Sequence, residues 1–430
     1  MIKTVFTSKK GWEDKISWII DRSKLIPPDI DLKVREIIDR VKTQRDKALF
    51  EYTSKFDGFD PEDKSIVIEN GEISSALSKV DPKLIAALKE AASRIEAFHR
   101  HQIQRSWTTT DSEGTILGQR ITPIERVGVY IPGGKNAFPS TMLMNVIPAK
   151  IAGVKDIIVV TPTPEGKVSQ VLLVAAHIAG IKRIYRIGGA QAIAALAYGT
   201  ETIPKVDKIV GPGNVYVNHA KRLVHSIVGI DLAAGPSEIL VIADSGAKKH
   251  IIAMDLLSQA EHDPMASAIL LTPDKSLARD VLNQLHIEVR SLPRKEIIRQ
   301  SLNNHGLCVI TEDIDEAIKI SNRIAPEHVE LMVEDAHKYL DRIENAGAIF
   351  LGYHTSEVLG DYIAGPNHTL PTSATSRFSS PLGVYDFFKR SSVIGFSKEA
   401  LMRLGPMAVQ IARAEELEAH AKSVGYRLKG

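Results

Sequence analysis

Gln259 and His262 in DLLSQAEHDP stand three residues apart and share one helix face, so both side chains could reach a metal ion from the same side. Residue chemistry by itself favours Glu261 or Asp263 over Gln259 as the harder ligand, because amides bind metal weakly. The plainer alternative is a surface helix ended by Asp263-Pro264. Glu327-His328 follow Ala325-Pro326 at a turn ahead of the apolar run VELMV. A carboxylate beside an imidazole can share acid/base work if burial raises the carboxyl group, whereas an ordinary loop leaves both exposed. Gly360 to Thr372 is a turn-rich stretch carrying Asp361, Asn367 and His368, and long polar loops beside a sheet are commonly functional. The tail adds Glu415, Glu416 and His420. The i, i+4 spacing of Glu416 and His420 otherwise makes a surface ion pair worth only tenths of a kcal/mol.

Three glycine-rich turns follow apolar runs: Gly133-Gly134, Gly188-Gly189 and Gly211-Pro212-Gly213-Asn214. None is a complete G-x-G-x-x-G. Gly128-VYIP-Gly133-Gly134-Lys135-Asn136 only brushes a phosphate-loop pattern, with an extra Gly before Lys135 and Asn136 in place of Ser or Thr. Each turn taken singly reads as a strand-to-helix connection. Together they mark a rim where an open α/β sheet binds ligands. Cys308 inside LCVI reads as an inert core residue.

The elements that must carry these residues are legible in outline. Short Val/Ile runs (VGVYI, DIIVV, RIYRI, KIV, then EILVIAD, AILLT, LCVIT, VELMV, AGAIF) alternate with helical stretches, the signature of parallel sheets buried on both faces. VVTPTPEGKVSQVLLVAAHI and LLTPDKSLARDVLNQLHI form a weak repeat of strand, Thr-Pro and helix. The expected fold is α/β: an N-terminal helical segment over 1–126 packing on the second α/β domain, two doubly wound Rossmann-like domains over 127–235 and 236–381, and a C-terminal helical tail over 382–430. A crevice between the two domains is the expected ligand site. In the first segment Val34, Ile37, Ile38, Val41, Ala48 and Leu49 form one apolar stripe, and Leu84, Ala87, Leu88, Ala91, Ile95 and Phe98 another. His99 and His101 are expected in solvent, and the tail beyond Pro406 is expected as one amphipathic helix.

Composition excludes several classes. The 430 residues hold 54 Lys+Arg against 52 Asp+Glu, a net charge of +2 without the basic excess that nucleic-acid binding needs. One cysteine permits neither an internal disulfide nor a cysteine-based zinc site. No apolar run reaches the ~20 residues that span a bilayer, and a start of MIKTVFTSKKGWEDK lacks a signal-peptide core, so a cytoplasmic location is expected.

The motifs read together resemble the histidinol dehydrogenase family. The matching stretches are ALFEYTSKFDG, RVGVYIPGG, IGGAQAIAALAYGT, KIVGPGNVYV, AAGPSEILVIAD, DLLSQAEHDP, APEHVELM, AGAIFLG, GDYIAGPNHTLPTSATSRFSSPLGVYDF and AEELEAH, from Ala48 to His420. The resemblance implies one zinc ion per subunit on Gln259, His262, Asp361 and His420, so the amide rather than Glu261 would be the ligand. It implies an acid/base pair in Glu327 and His328, and NAD+ contacts at Tyr130, Gln191 and Asn214 of the first domain. Substrate contacts would fall on Ser237, Gln259, His262, His328, Asp361, His368, Glu415 and His420.

The implied reaction is a four-electron oxidation of L-histidinol to L-histidine through L-histidinaldehyde, with two NAD+. The implied assembly is a homodimer whose tail reaches the partner's site; neither a nucleic acid nor a membrane is an expected partner. Two rivals differ in what they need. A zinc hydrolase would use the same ligands with Glu327 activating water and would leave the glycine-rich turns without a role. A non-catalytic binding relative would be expected to lose Glu327 or a zinc ligand, and both are present.

Overall fold

The computed structural model describes residues 2–22, 28–61, 65–134, 137–232 and 235–429. Lys135 and Asn136 of the phosphate-loop-like stretch lie outside the described residues. The apolar runs form the strands of two parallel sheets. The first sheet has the order Val67–Glu69, Arg183–Tyr185, Asp156–Val160, Arg126–Tyr130, Lys208–Val210, Gly229–Ile230, with only Val67–Glu69 antiparallel to its neighbour. The second has the order Lys3–Phe6, Gly306–Ile310, Ser267–Thr272, Glu238–Ala243, His328–Met332, Ala348–Leu351, parallel throughout. Numbered from Arg126 and from Glu238, each sheet runs 3-2-1-4-5, the doubly wound order.

Both sheets are covered on both faces, as their unbroken apolar runs require. In the second, Ile239, Val241 and Ala243 enter one core while Leu240 and Ile242 enter the other. The Thr-Pro repeat proves to be strand Asp156–Val160 with helix Gln170–Ala179, and strand Ser267–Thr272 with helix Lys275–Glu288. Cys308 is buried in the core. A third, antiparallel sheet joins Trp107–Thr110, Ile116–Pro123 and Phe388–Gly395.

Three expectations need correction. Strand Lys3–Phe6 and helix Trp12–Ile20 of the N-terminal segment pack on the second domain, and helix Pro82–Arg100 touches it at Gly360–Ala364, where Arg94 Nε donates to the Ile363 carbonyl at 2.8 Å. Helices Pro28–Gln44, Asp46–Asp57 and Pro82–Arg100 pack on helices of the first, because Val34, Ile38, Val41 and Leu49 join the core of Ile193 and Leu196, and Leu88, Ala91 and Ile95 join that of Met142 and Leu143. His99 is fully buried. It continues the stripe Leu88, Ala91, Ile95, and its Nδ1–H donates to the Ile95 carbonyl at 2.8 Å, while Leu84 and Phe98 stay partly exposed. The tail is two helices, Lys398–Ala414 with Pro406 inside it and Glu418–Leu428, parted where Glu416 takes a φ of +59°. Among the described residues no helix is long and apolar enough to cross a membrane.

Candidate active site

Strand alternation aims the reacting side chains. Val329 and Leu331 of strand His328–Met332 face one core, so His328 and Glu330 face the other side, against helix Lys249–Ala260. On that helix Asp255 and Gln259, four residues apart, turn inward and are buried. Glu327 and His328 are 7% and 3% exposed, which excludes the reading of two polar residues in a loop.

His328 Nδ1 lies 2.9 Å from the Glu238 carbonyl, an acceptor, so Nδ1 carries the proton and donates. The other nitrogen, Nε2, is buried without a hydrogen-bond partner, 3.8 Å from Asp361 Oδ1. Glu327 Oε2 accepts the Glu238 backbone N–H at 2.9 Å and lies 3.6 Å from His328 Nδ1. Burial raises the Glu327 carboxyl above its usual range, against the neighbouring His328 charge and the Glu238 N–H. Burial alone would lower His328, but the carboxylates of Glu327, Asp361 and Glu357 together raise it.

This cluster lies at the amino-terminal ends of strands Glu238–Ala243 and His328–Met332, the edge opposite the one where open α/β sheets ordinarily bind ligands. Arg22 braces that edge. Its Nε and Nη2 donate to the two Glu238 carboxylate oxygens at 2.7 Å each, and Nη1 donates to the Ile324 carbonyl at 2.8 Å. Glu238 Oε1 also accepts the Ser373 N–H at 3.0 Å, which ties in the loop carrying His368. His368 Nδ1–H donates to the Asp361 carbonyl at 3.0 Å, and its Nε2 accepts from Thr141 of the first domain at 3.2 Å. Ser237 Oγ lies 3.2 Å from His262 Nδ1 at the mouth. Gln259, Glu327, His328, Asp361 and His368 thus form one connected group, and the Ser237–His262 pair feels the charge of Asp361 and His328.

The glycine-rich turns lie at the carboxyl-terminal ends of the first sheet's strands. Tyr130 is buried, its hydroxyl accepts the Gly189 N–H at 3.2 Å, and burial raises its ionisation well above the usual range. Gly211 has a φ of +111°, and a Cβ there would come within 2.1 Å of the Tyr130 carbonyl, so this glycine serves packing. Gln191 is 1% exposed, and neither polar atom of its amide has a partner. Asn214 Oδ1 caps helix Val215–Val224 through Tyr216 N and Val217 N, both at 3.1 Å.

Residues 21–428 match the family model described as histidinol dehydrogenase. The chain belongs to the histidinol dehydrogenase family. Histidinol dehydrogenase of Syntrophotalea carbinolica is 52% identical over 96% of this chain and 95% of its own length. That of Nitrosospira multiformis is 48% identical over 99% of this chain and 97% of its own. The crystal structure of histidinol dehydrogenase from Elizabethkingia anophelis matches with a TM-score of 0.93 at 40% identity, covering 100% of this chain and 98% of that one.

Set against the histidinol dehydrogenase resemblance, two residues stand apart from the group. Glu415 and His420 are exposed in the isolated chain, and no hydrogen bond or ion pair of the described residues joins either to it. Helix Glu418–Leu428 packs chiefly on helix Lys398–Ala414. Among the described residues no three His, Cys, Asp or Glu side chains form a metal cage. The donors at hand are the Gln259 amide oxygen, which is buried without a partner, with the His262 imidazole and the Asp361 carboxylate. An oxygen and nitrogen set of this kind fits a zinc ion with a position left open. The partnerless Gln191 amide likewise fits a polar cofactor at the first domain's rim. Sequence reading missed Arg22, Glu238, Asp255, Glu330 and Glu357. The available signal was spacing: Asp255 falls four before Gln259, Glu330 two after His328, and Glu357 four before Asp361.

Proposed function

We propose that this chain oxidises L-histidinol to L-histidine through L-histidinaldehyde in two successive hydride transfers to NAD+. The observation that carries the reading is the buried, partnerless Nε2 of His328, with Nδ1 fixed as donor and Glu327 alongside. An alcohol releases hydride only as its O–H proton leaves, and Nε2 is the group that takes that proton. An aldehyde must be hydrated before it can donate a second hydride, and Glu327 takes a proton from the attacking water. Oxidising the resulting gem-diol repeats the first step, with His328 again accepting the O–H proton. Gln191, Tyr130 and Asn214 would hold NAD+, whose nicotinamide would supply the acceptor for each carbon-bound hydrogen as hydride. Gln259, His262 and Asp361 would hold a zinc ion, whose contribution is to orient the substrate's nitrogen and oxygen atoms.

The proposed assembly is a homodimer in which Glu415 and His420 complete the partner's site. It is supported by the exposure of Glu415 and His420, with no hydrogen bond or ion pair among the described residues joining them to the cluster, and by exposed Trp107, Leu117, Ile394, Phe396, Met407 and Ile411 on the third sheet and the tail. Incubation of zinc-loaded protein with L-histidinol and NAD+ is expected to give two NADH per substrate consumed. A hydrolase gives none, and a yield of one NADH with aldehyde accumulating removes the second oxidation.

A further inference from the structure

Gln259 is a poor choice of ligand in isolation, because a neutral amide is a weak donor and can turn its N–H2 rather than its oxygen toward a cation. Its surroundings remove that freedom. Gln259 Nε2 donates to Glu357 Oε1 at 2.9 Å, and both side chains are buried, at 0% and 1% exposure. Glu357 is itself held in place. Its Oε2 accepts from the Ser258 hydroxyl at 2.9 Å, and its backbone N–H donates to Glu330 Oε1 at 2.7 Å. The nearest ring nitrogen, His328 Nδ1, lies 3.3 Å from Gln259 Nε2 but already donates to the Glu238 carbonyl, so it cannot reward the opposite amide orientation. The Gln259 oxygen is then left buried with no partner. Among the described residues no Lys or Arg pairs with Glu357 either. A buried carboxylate with the His328 imidazole as its basic neighbour and no Lys or Arg, one amide away from a partnerless buried oxygen, describes half of a cation site.

We propose that Glu357 is a positioning residue that locks the Gln259 amide with its oxygen turned to the cation, and so makes a ligand of an otherwise indifferent side chain. This rests on the zinc reading given above. Accepting from Nε2 also draws the amide's electron density toward Oε1, strengthening the donor that the cation meets. The same geometry explains why residue 259 is not the harder ligand Glu. A carboxylate there would face the Glu357 carboxylate and could pair with it only by holding an extra proton, whereas the Gln259 amide brings its own N–H donor.

That requirement gives the test. Zinc affinity is measured by competition with a chromogenic chelator on full-length protein for the wild type, Glu357→Gln, and the exchanged double variant Gln259→Glu with Glu357→Gln, which moves the donor to the other side and keeps the total charge. Outer partners of metal ligands typically govern affinity by about 10–100-fold, so Glu357→Gln is expected to weaken zinc binding by that factor. The double variant is expected to recover to within a few-fold of wild type. Melting curves of the metal-free proteins separate positioning from folding, since the single variant is expected to melt near the wild type. If Glu357→Gln does not fold, the exchanged pair decides alone: folding with zinc binding supports the role, and folding without it overturns it. A Glu357→Gln protein that binds zinc like the wild type, or an exchanged pair no better than the single variant, also overturns it. A wild-type protein that holds no zinc overturns the metal reading itself, an outcome distinct from losing only the part played by Glu357.

Discussion

The two nitrogens of His328 are committed differently, and the division sets what each neighbouring residue can do. Nδ1–H is fixed on the Glu238 carbonyl, so in the proposed reaction the substrate's O–H proton passes to Nε2, while Glu327, which accepts the Glu238 N–H, is left for the proton of water. Glu327→Gln keeps the shape and removes the base. Oxidation of L-histidinaldehyde is expected to fall by roughly 10²–10⁴-fold, with a much smaller loss in hydride transfer from L-histidinol, followed by single-turnover kinetics on each substrate. Equal losses in both half-reactions remove the proposed role. Behind them, Asp255 and Glu330 are buried carboxyls that repel one another, and Asp255 Oδ2 and Glu330 Oε2 have no hydrogen-bond partner, so a single shared proton would relieve the pair. Burial raises both, Asp255 to about 6. A carboxyl raised on folding stabilises fully below its unfolded value, and the contribution is lost as pH climbs through the folded value. Glu330→Gln supplies an N–H in place of the shared proton. Its melting temperature is therefore expected to gain on the wild type as pH rises from about 4 to about 8, by the equivalent of roughly 1–3 kcal/mol. Parallel melting profiles across that range would contradict the shared proton.

At the scale of elements, the site depends on an edge of the second sheet that has to be held from outside. Strands Glu238–Ala243 and His328–Met332 begin at the cluster, and strand ends fray unless tied. Arg22 supplies the tie by gripping both oxygens of buried Glu238 and the Ile324 carbonyl at once. Arg22→Ala leaves a buried carboxylate unpaired, a change that typically costs about 3–5 kcal/mol. The variant is expected to show that loss in urea unfolding together with a lower kcat; unchanged urea stability would mean that Glu238 finds water or another donor. How much of this could be read beforehand follows from the physics of each element. Strands such as DIIVV and EILVIA are apolar on both faces, so their burial in parallel sheets was legible from the letters alone. The stripe of Val34, Ile38 and Val41 announced a buried helix face but carried no information about which core would receive it, and the answer was the first domain. His99 looked polar by type, yet a single backbone acceptor was enough to let it continue an apolar stripe. Glu330 and Asp255 were hidden inside apolar runs, because their partners are brought together only by the crossing of a strand and a helix from distant parts of the chain. The pairing of Glu327 with His328 was legible because the two are adjacent in the chain, where a turn passes into a strand.

At the scale of the whole molecule, the chain's own cluster supplies Gln259, His262 and Asp361, while Glu415 and His420 stand exposed on a helical tail carried by the third sheet. A tail that serves its own site and a tail that serves a neighbour's give opposite results when two defective chains are mixed. His262→Ala removes a residue of the body, and His420→Ala removes a residue of the tail. Each homodimer is expected to be nearly inactive, because every site in it carries the lesion. In a mixed dimer with exchanged tails, one site receives both lesions and the other receives none. Random reassociation makes about half of the dimers mixed, and each of these has one intact site of two, so roughly a quarter of wild-type activity should return. Subunit exchange is verified independently, by native mass spectrometry of chains of different tag length. If exchange is complete and the mixture stays as inactive as its parents, each tail serves its own chain and the shared site is wrong. Recovery near a quarter instead places an intact set of ligands across two subunits, and activity should then fall on dilution below the dimer's dissociation constant while the fold of each chain persists.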